Sequence, residues 1–339
     1  MSFTILGTGS AEPSLCKTND DLAKVMDTSD EWIRSRTGIE KRRLCGEETV
    51  TDLACEAAEH AMEDAGVTAR DLDLILCATV TGDYITPSMA CLVQERLGAS
   101  CPAFDVNAAC AGFLYALDVA DGYFARDRVK RVLVIGAEAI SKIADWEDRS
   151  TAVIFADGAG AVVLGEGEDL LAARLTTRGN HGALYAENVK GNCPFRSNGT
   201  KTEPVPETSD SDGREIKKAR ENYLYMDGQE VFRFAVASMI RDLKQIMKEA
   251  GLSCGDVTYV MPHQANRRII DFAASKLDIA DEKFLVNIDQ RGNTSAAAIP
   301  ILLDETRRKG MLKKGDVLLF TSFGAGLTTA ACAVRWGRE

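Results

Sequence analysis

Apolar and polar positions along this chain follow two periods. From Thr51 to Ala65 and from Val231 to Ala250, apolar residues recur every three or four positions, which predicts two long amphipathic helices. Each helix ends in Ala-Gly, and Gly66 and Gly251 are placed as C-terminal stops. Each is followed by a short turn with an Asp and then an apolar strand, running up to Val80 in one case and to Pro262 in the other. Further apolar runs predict strands at P-A-F-D-V-N from Pro102, R-V-L-V-I-G-A from Arg131, A-V-I-F-A from Ala152 and G-A-V-V-L from Gly160. Later strands are expected at F-L-V-N-I from Phe284, D-V-L-L-F from Asp316 and T-T-A-A-C-A-V-R-W from Thr328. Helices are expected from about Cys110, from His263 to Leu277, and from about Ser295.

The segments Glu63–Val80 and Lys248–Gln264 read alike, and the order after them runs in parallel. Self-similarity at half the chain predicts an internal duplication. The halves fall at residues 1–175 and 176–339, each an α/β unit with a mostly parallel sheet between helices. The helices from Cys110 and Ser295 start almost without charge (C-A-G-F-L-Y-A-L and S-A-A-A-I-P-I-L-L), as central helices buried between the halves should. One stretch breaks the pattern. Gly191 to Arg220 is polar, contains prolines and has no apolar period, so a long surface loop at about 191–220 is expected.

A length of 339 residues exceeds what one core usually serves, which agrees with two halves. The net charge of −11 argues against a nucleic-acid partner, which needs a basic face. No apolar run is long enough to cross a membrane, and M-S-F-T-I-L-G-T-G-S lacks the basic start of a secretory leader. A cytoplasmic location follows, with the ten cysteines as reduced thiols. They form no C-x-x-C pair and no zinc-spaced cluster with His, so no metal is expected. The glycines of G-T-G-S imitate a dinucleotide fingerprint, but Glu12 stands where its third glycine belongs, which excludes a nicotinamide oxidoreductase.

Histidine is scarce. His60 sits in an acidic helix, where a solvated face is the ordinary reading, and His181 sits in a loop. His263 lies at the C-terminal end of a strand, where open α/β sheets place their sites. Asn293 follows a strand too, although a helix cap would explain it. Gly324 sits in a turn whose N–H groups can face a ligand, or in an ordinary tight turn. Cys110 is one of ten cysteines, most of which should simply be buried. At a helix N-terminus its thiolate would be favoured and its pKa lowered. All four lie beyond strand ends, and a two-fold packing of the halves would bring them together.

The segments carrying these residues occur in a recognisable order. They are I-L-G-T-G-S at Ile5, S-D-E-W-I-R-S-R-T-G-I-E-K-R at Ser29, D-V-N-A-A-C-A-G-F at Asp105, F-A-D-G-A-G-A at Phe155, P-H-Q-A-N at Pro262, G-N-T-S-A-A at Gly292 and S-F-G-A-G at Ser322. Nearly end to end, the chain resembles the β-ketoacyl-acyl-carrier-protein synthase III family, the condensing enzymes that start bacterial fatty-acid synthesis. The resemblance implies a thiolase-like fold of duplicated halves in five layers, αβαβα, and a cytoplasmic homodimer without a permanently bound cofactor. It implies an acyl-CoA primer loaded on Cys110 and condensed with malonyl-acyl-carrier protein, with loss of CO2. His263 and Asn293 would form the decarboxylating pair, and the N–H groups of Cys110 and Gly324 the oxyanion hole. Coenzyme A would lie along Trp32, Arg36, Arg149, Gly228, Gln229 and Asn266, its adenine between Trp32 and Arg149. Thr86, Phe155, Leu224 and Met226 would shape the acyl pocket. Arg233, Arg268 and Lys276 would dock the acidic carrier, while Arg267 and Arg241 read as solvated helix positions.

Two features depart from the family pattern. Many members carry a Phe where this chain has Thr86, an aromatic that closes the partner subunit's acyl pocket, so a deeper pocket for longer or branched primers is expected. The polar stretch at 191–220 is longer than the family norm and precedes Leu224 and Met226. Two rivals remain. One is a 3-oxoacyl synthase of secondary metabolism, polyketide or quinolone-type, using malonyl-CoA or a malonyl-carrier. The other is an acyl- or CoA-binding scaffold, which would need one of Cys110, His263 or Asn293 replaced.

Overall fold

The computed structural model describes residues 1–187 and 223–339, and the expected loop at 191–220 lies outside the described residues. Two sheets form the frame. The first has the order Ser2–Ala11, Asp157–Gly167, Arg131–Ala139, Leu74–Ala78, Ala103–Val106. The second has the order Tyr259–Pro262, Val317–Gly324, Gly326–Arg335, Leu170–Asn180. Leu74–Ala78 is parallel to Arg131–Ala139, and the next two pairings outward are antiparallel. Tyr259–Pro262 begins the same series in the second sheet. The two sheets therefore repeat one another, as the duplication predicts.

The sheets are mixed, however, and not mostly parallel. A single residue, Ala325, joins Val317–Gly324 to Gly326–Arg335, and so short a return permits only antiparallel pairing. Two expected strands are also absent. F-L-V-N-I is reduced to one bridge, Phe284 to Val260, where the first sheet has the full strand Ala103–Val106. A-V-I-F-A follows a helical turn, Arg149–Ala152, capped by the Asp148 carboxylate, and keeps one bridge from Phe155 to Asn293. Short apolar runs look alike whether they are strands or buried turns. The strand Leu170–Asn180 went unforeseen, because its half-buried residues show no clean alternation.

Helices Val50–Ala65 and Met89–Leu97 cover the outer face of the first sheet. Gly228–Glu249 and Arg267–Ala274 cover the outer face of the second. Between the sheets run Gly112–Ala125 and Ala298–Arg308, each entered through a 3-10 turn. One core joins Leu76 and Val134 of the first sheet to Phe320 and Val334 of the second through Phe113, Leu117, Ile299 and Leu302. This is the five-layer αβαβα arrangement.

The central layer is tight because small residues allow it. A side chain on Gly136 would place its Cβ 2.4 Å from the Ala296 carbonyl oxygen. Gly136→Ala should therefore lower stability by about 1–3 kcal/mol, as overpacking does, read as a drop in the urea midpoint. An unchanged midpoint would mean that the Ser295–Arg308 segment can retreat.

Candidate active site

Cys110 sits in the 3-10 turn Ala109–Ala111, just ahead of the helix Gly112–Ala125. Ala109 is held at φ 48°, a left-handed conformation that residues with a Cβ rarely adopt. The second sheet holds this turn in place. The Ser322 hydroxyl donates to the Cys110 carbonyl at 2.8 Å, and the Thr328 hydroxyl donates to the Ala108 carbonyl at 3.0 Å. Gly324 approaches so closely that a Cβ there would stand 2.8 Å from the Cys110 nitrogen.

His263 follows the strand Tyr259–Pro262 and extends it by donating its N–H to the Thr321 carbonyl at 2.8 Å. Its ring meets Phe323 edge to face at 5.4 Å. Burial pushes its pKa down to about 3, so it is neutral at physiological pH. Its Nδ1 has no hydrogen-bond partner among the described residues. Asn293 is tied by its main chain to Ile154 and Ala156, at 3.0 and 2.9 Å. Its side-chain oxygen accepts the Ser295 N–H at 2.9 Å, which leaves the amide NH2 as the group free to donate.

Cys110, His263, Asn293 and Gly324 line one cavity of 160 Å³. Phe155, Met226, Gly228 and Asn266 line it too, as do Phe232, Phe323 and Leu327, which the sequence reading had passed over. Leu224 does not. Its N–H is bound to the Ile143 carbonyl at 2.7 Å, away from the lining. Thr86 is exposed and lies outside this chain's own cavity.

The expected low thiol pKa is overturned. Cys110 keeps some exposure to the cavity, yet protein encloses it, and burial pushes its pKa up to about 11. The hydrogen bond from Ser295 opposes this shift without reversing it. Ser295 and Glu138 are the neighbours the sequence reading missed. The Ser295 hydroxyl lies 3.3 Å from the Cys110 sulfur and 3.1 Å from Glu138 Oε1. The signal was a lone acid at the end of the apolar strand R-V-L-V-I-G-A-E-A.

At the surface, the guanidinium groups of Arg36 and Arg149 stack on Trp32 at 4.8 and 5.0 Å. Asn266 caps its helix through the Arg268 N–H and donates to the Arg36 carbonyl at 3.0 Å, which joins this surface to the cavity wall. Gln229 is exposed at the start of its helix. Arg268 leans over Phe232 at 5.9 Å, and Lys276 over the half-exposed Phe272 at 5.4 Å. Arg233 lines a second cavity, of 360 Å³, together with Arg178 and Arg241. Arg241 is paired with Asp242 at 2.8 Å, and Arg267 with Asp271 at 2.6 Å. Among the described residues, no group of three or more His, Cys, Asp or Glu could hold a metal, and no helix is long and apolar enough to cross a membrane.

A largely enclosed cysteine in a turn between two duplicated sheets, lining one cavity with a buried His and an Asn, fits a thiolase-fold acyltransferase. Family models of 3-oxoacyl-[acyl-carrier-protein] synthase III match residues 104–179, and those of its C-terminal region match residues 247–336. The chain belongs to the β-ketoacyl-[acyl-carrier-protein] synthase III family. It is 42% identical over 338 residues to the member from Clostridium acetobutylicum, covering 99% of both chains. The crystal structure of the synthase from Aquifex aeolicus VF5 superposes with a TM-score of 0.87 at 44% identity, covering 98% of this chain and 99% of that one. A priming β-ketosynthase from a polyketide pathway superposes at 0.86 with 32% identity, covering 99% and 97%.

The buried His263 ties stability to pH. Below its ordinary pKa of 6.5 the unfolded chain binds a proton there, and the folded chain does not until about pH 3. This contribution is complete above pH 6.5 and is lost as the pH falls. The stability advantage of the native chain over His263→Asn should shrink by about 1.4 kcal/mol per pH unit below 6.5, measured by urea unfolding at pH 7, 6 and 5. A constant difference would show that His263 titrates normally when folded.

Proposed function

We propose that this chain condenses an acyl-CoA primer with malonyl-acyl-carrier protein, giving 3-oxoacyl-carrier protein and CO2 as the first step of fatty-acid synthesis. The observation that carries this reading is the single cavity lined by Cys110, His263, Asn293 and Gly324. The Cys110 sulfur attacks the acyl-CoA carbonyl. The N–H groups of Cys110 and Gly324 take the developing oxyanion, and coenzyme A leaves. The malonyl thioester then enters the same cavity and loses CO2. Its enolate oxygen receives hydrogen bonds from neutral His263 and from the Asn293 NH2, which is free to donate because Ser295 occupies the amide oxygen. The enolate carbon attacks the acyl-Cys110 carbonyl and releases the thiolate.

Coenzyme A enters past Trp32, Arg36 and Arg149, with Gly228, Gln229 and Asn266 along its path. Arg36 and Arg149 now stack on the Trp32 ring, so the adenine takes its place by displacing a guanidinium from it. Arg233, Arg268 and Lys276 dock the acidic carrier. The stacking of Arg268 on Phe232, a cavity-lining residue, supports placing carrier contacts beside the entrance. The protein works as a cytoplasmic homodimer with no permanently bound cofactor. The edge strand Ala103–Val106 and the neighbouring Tyr84 and Ile85, 64% and 76% exposed, support a second copy on that side. Thr86 lies on the same loop, where a second copy would bring it toward the partner's cavity. The 42% identity to the Clostridium acetobutylicum synthase, against 32% to the polyketide ketosynthase, supports the primary-metabolic reading.

Intact-protein mass after incubation with an acyl-CoA panel tests both the loading and the role of Thr86. An acyl adduct should appear, should vanish in Cys110→Ser, and should form with primers longer or more branched than acetyl. Loading by acetyl alone would remove the role given to Thr86. In Asn293→Ala, loading should persist, while CO2 release from the malonyl thioester falls by about 10²–10³. Equal loss of both steps would refute the division of roles.

A further inference from the structure

The acylation step leaves one proton without an acceptor. Cys110 is a protonated thiol at neutral pH, because burial pushes its pKa up to about 11. Buried His263, with a pKa near 3, is a poor base. Among the described residues, the buried groups around the sulfur contain one other candidate. Glu138, wholly buried at the end of its strand, reaches Cys110 through a single hydroxyl. Its Oε1 lies 3.1 Å from Ser295 Oγ, which lies 3.3 Å from the Cys110 sulfur. Its Oε2 is held by the Thr81 hydroxyl at 2.5 Å, the N–H groups of Val80 and Thr81 at 3.1 Å each, and the Thr79 hydroxyl at 3.3 Å.

We propose that Ser295 and Glu138 form a proton relay that takes the Cys110 proton during acylation and returns it when condensation expels the thiolate. The inference rests on the condensing reading above. A hydroxyl has one proton to donate, so its two contacts must run in one direction. The Ser295 hydroxyl is within donating distance of both the Cys110 sulfur and Glu138 Oε1 but can give its proton to only one of them. In the arrangement that opens the relay it donates to Glu138 Oε1 and accepts from the thiol S–H. As the sulfur attacks, its proton passes to Ser295 and the serine proton passes to Glu138. The coenzyme A thiolate leaves and is protonated by solvent. When the enolate attacks acyl-Cys110 and the C–S bond breaks, Glu138 returns its proton through Ser295 to the sulfur. The charge released with the malonyl carboxylate then resides on Glu138, and atoms and charges balance over the cycle. Ser295 touches the reacting sulfur, and Glu138 acts through it.

The environment suits the task. Burial pushes the Glu138 pKa up to about 7, and the hydrogen bonds from Thr79, Val80, Thr81 and Ser295 oppose that rise. The carboxyl can therefore hold or release a proton near neutrality. The titratable groups that feel its charge are the thiols of Cys110 and Cys77. Asp83, on the loop carrying Thr81, is paired with Lys142, and Asp157, on the adjoining strand, accepts from Ser141 and from the Cys45 N–H.

The test is the pH dependence of Cys110 alkylation by iodoacetamide, read by peptide mass, which needs no acyl substrate. With the relay, the native rate rises up to about pH 7 and then levels, because ionised Glu138 makes the thiolate accessible. In Glu138→Gln and Ser295→Ala, the break should disappear. The rate should climb about tenfold per pH unit from 6 to 9, and acyl loading at pH 7 should fall about 10²-fold. Circular dichroism and the thermal midpoint report whether the variants fold. A native profile without a break between pH 6 and 8 overturns the relay even if neither variant folds. So does a break that survives in a folded variant. If the break is present and lost as expected but no acyl-CoA ever loads, the proton coupling of Cys110 to Glu138 stands, while its role in acylation falls with the condensing reading.

Discussion

The site depends on two hydrogen bonds that cross the molecule. Cys110 belongs to the first half of the chain, but the hydroxyls of Ser322 and Thr328, in the second sheet, hold the carbonyls of Cys110 and Ala108. They fix a turn that contains Ala109 in a left-handed conformation, which such a turn would not keep unaided. Gly324 completes the arrangement by bringing its backbone against the Cys110 nitrogen, where any side chain would collide. Cys110 is therefore positioned only when both halves are folded and packed. A duplicated architecture makes this natural, since the same strand-end position in each sheet faces the shared middle layer.

That middle layer sets the chemistry. The 3-10 turns at Ala109–Ala111 and Ser295–Ala297 meet because alanines and Gly136 remove the bulk that would hold them apart. Their closeness puts Ser295 within reach of Cys110 and Glu138 together. It also allows the Ser295 N–H to hold the Asn293 amide oxygen, so one residue orients the amide and contacts the Cys110 sulfur. The packing that gives stability thus gives geometry as well, and a loosened core would cost both.

Much of this was legible in the sequence. Helix periodicity and glycine stops located the long outer helices, and the repeated order of elements revealed the duplication. Strand ends picked out His263, Asn293, Gly324 and Cys110, which the fold brings to one cavity, while the resemblance to a known family implied roles for them. What sequence could not resolve was local and three-dimensional. F-L-V-N-I has the composition of a strand but finds only one bridge, because pairing depends on a neighbour that composition does not show. The family resemblance implied a pocket position for Leu224, yet it is not among the residues lining the cavity and its N–H is bound to the Ile143 carbonyl. Glu138 was an unexplained acid in an apolar strand, and its contact to Ser295 spans 157 positions, which no periodicity reports.

Burial explains why a site with three titratable groups can work without a fixed charge. It moves each group toward its neutral form, so Cys110 stays a thiol, His263 stays an uncharged imidazole, and Glu138 sits where neither state dominates. A helix N-terminus alone would have pulled Cys110 toward thiolate. Here desolvation is the larger effect, and the thiol has to be deprotonated within the reaction. A neutral His263 suits an enolate, which needs a hydrogen bond and gains little from a buried ion. The burial that keeps Cys110 a thiol therefore also keeps His263, on the same cavity wall, uncharged. It also leaves the thiol proton to be received nearby, and among the described residues Glu138 is the acid linked to the sulfur, through Ser295.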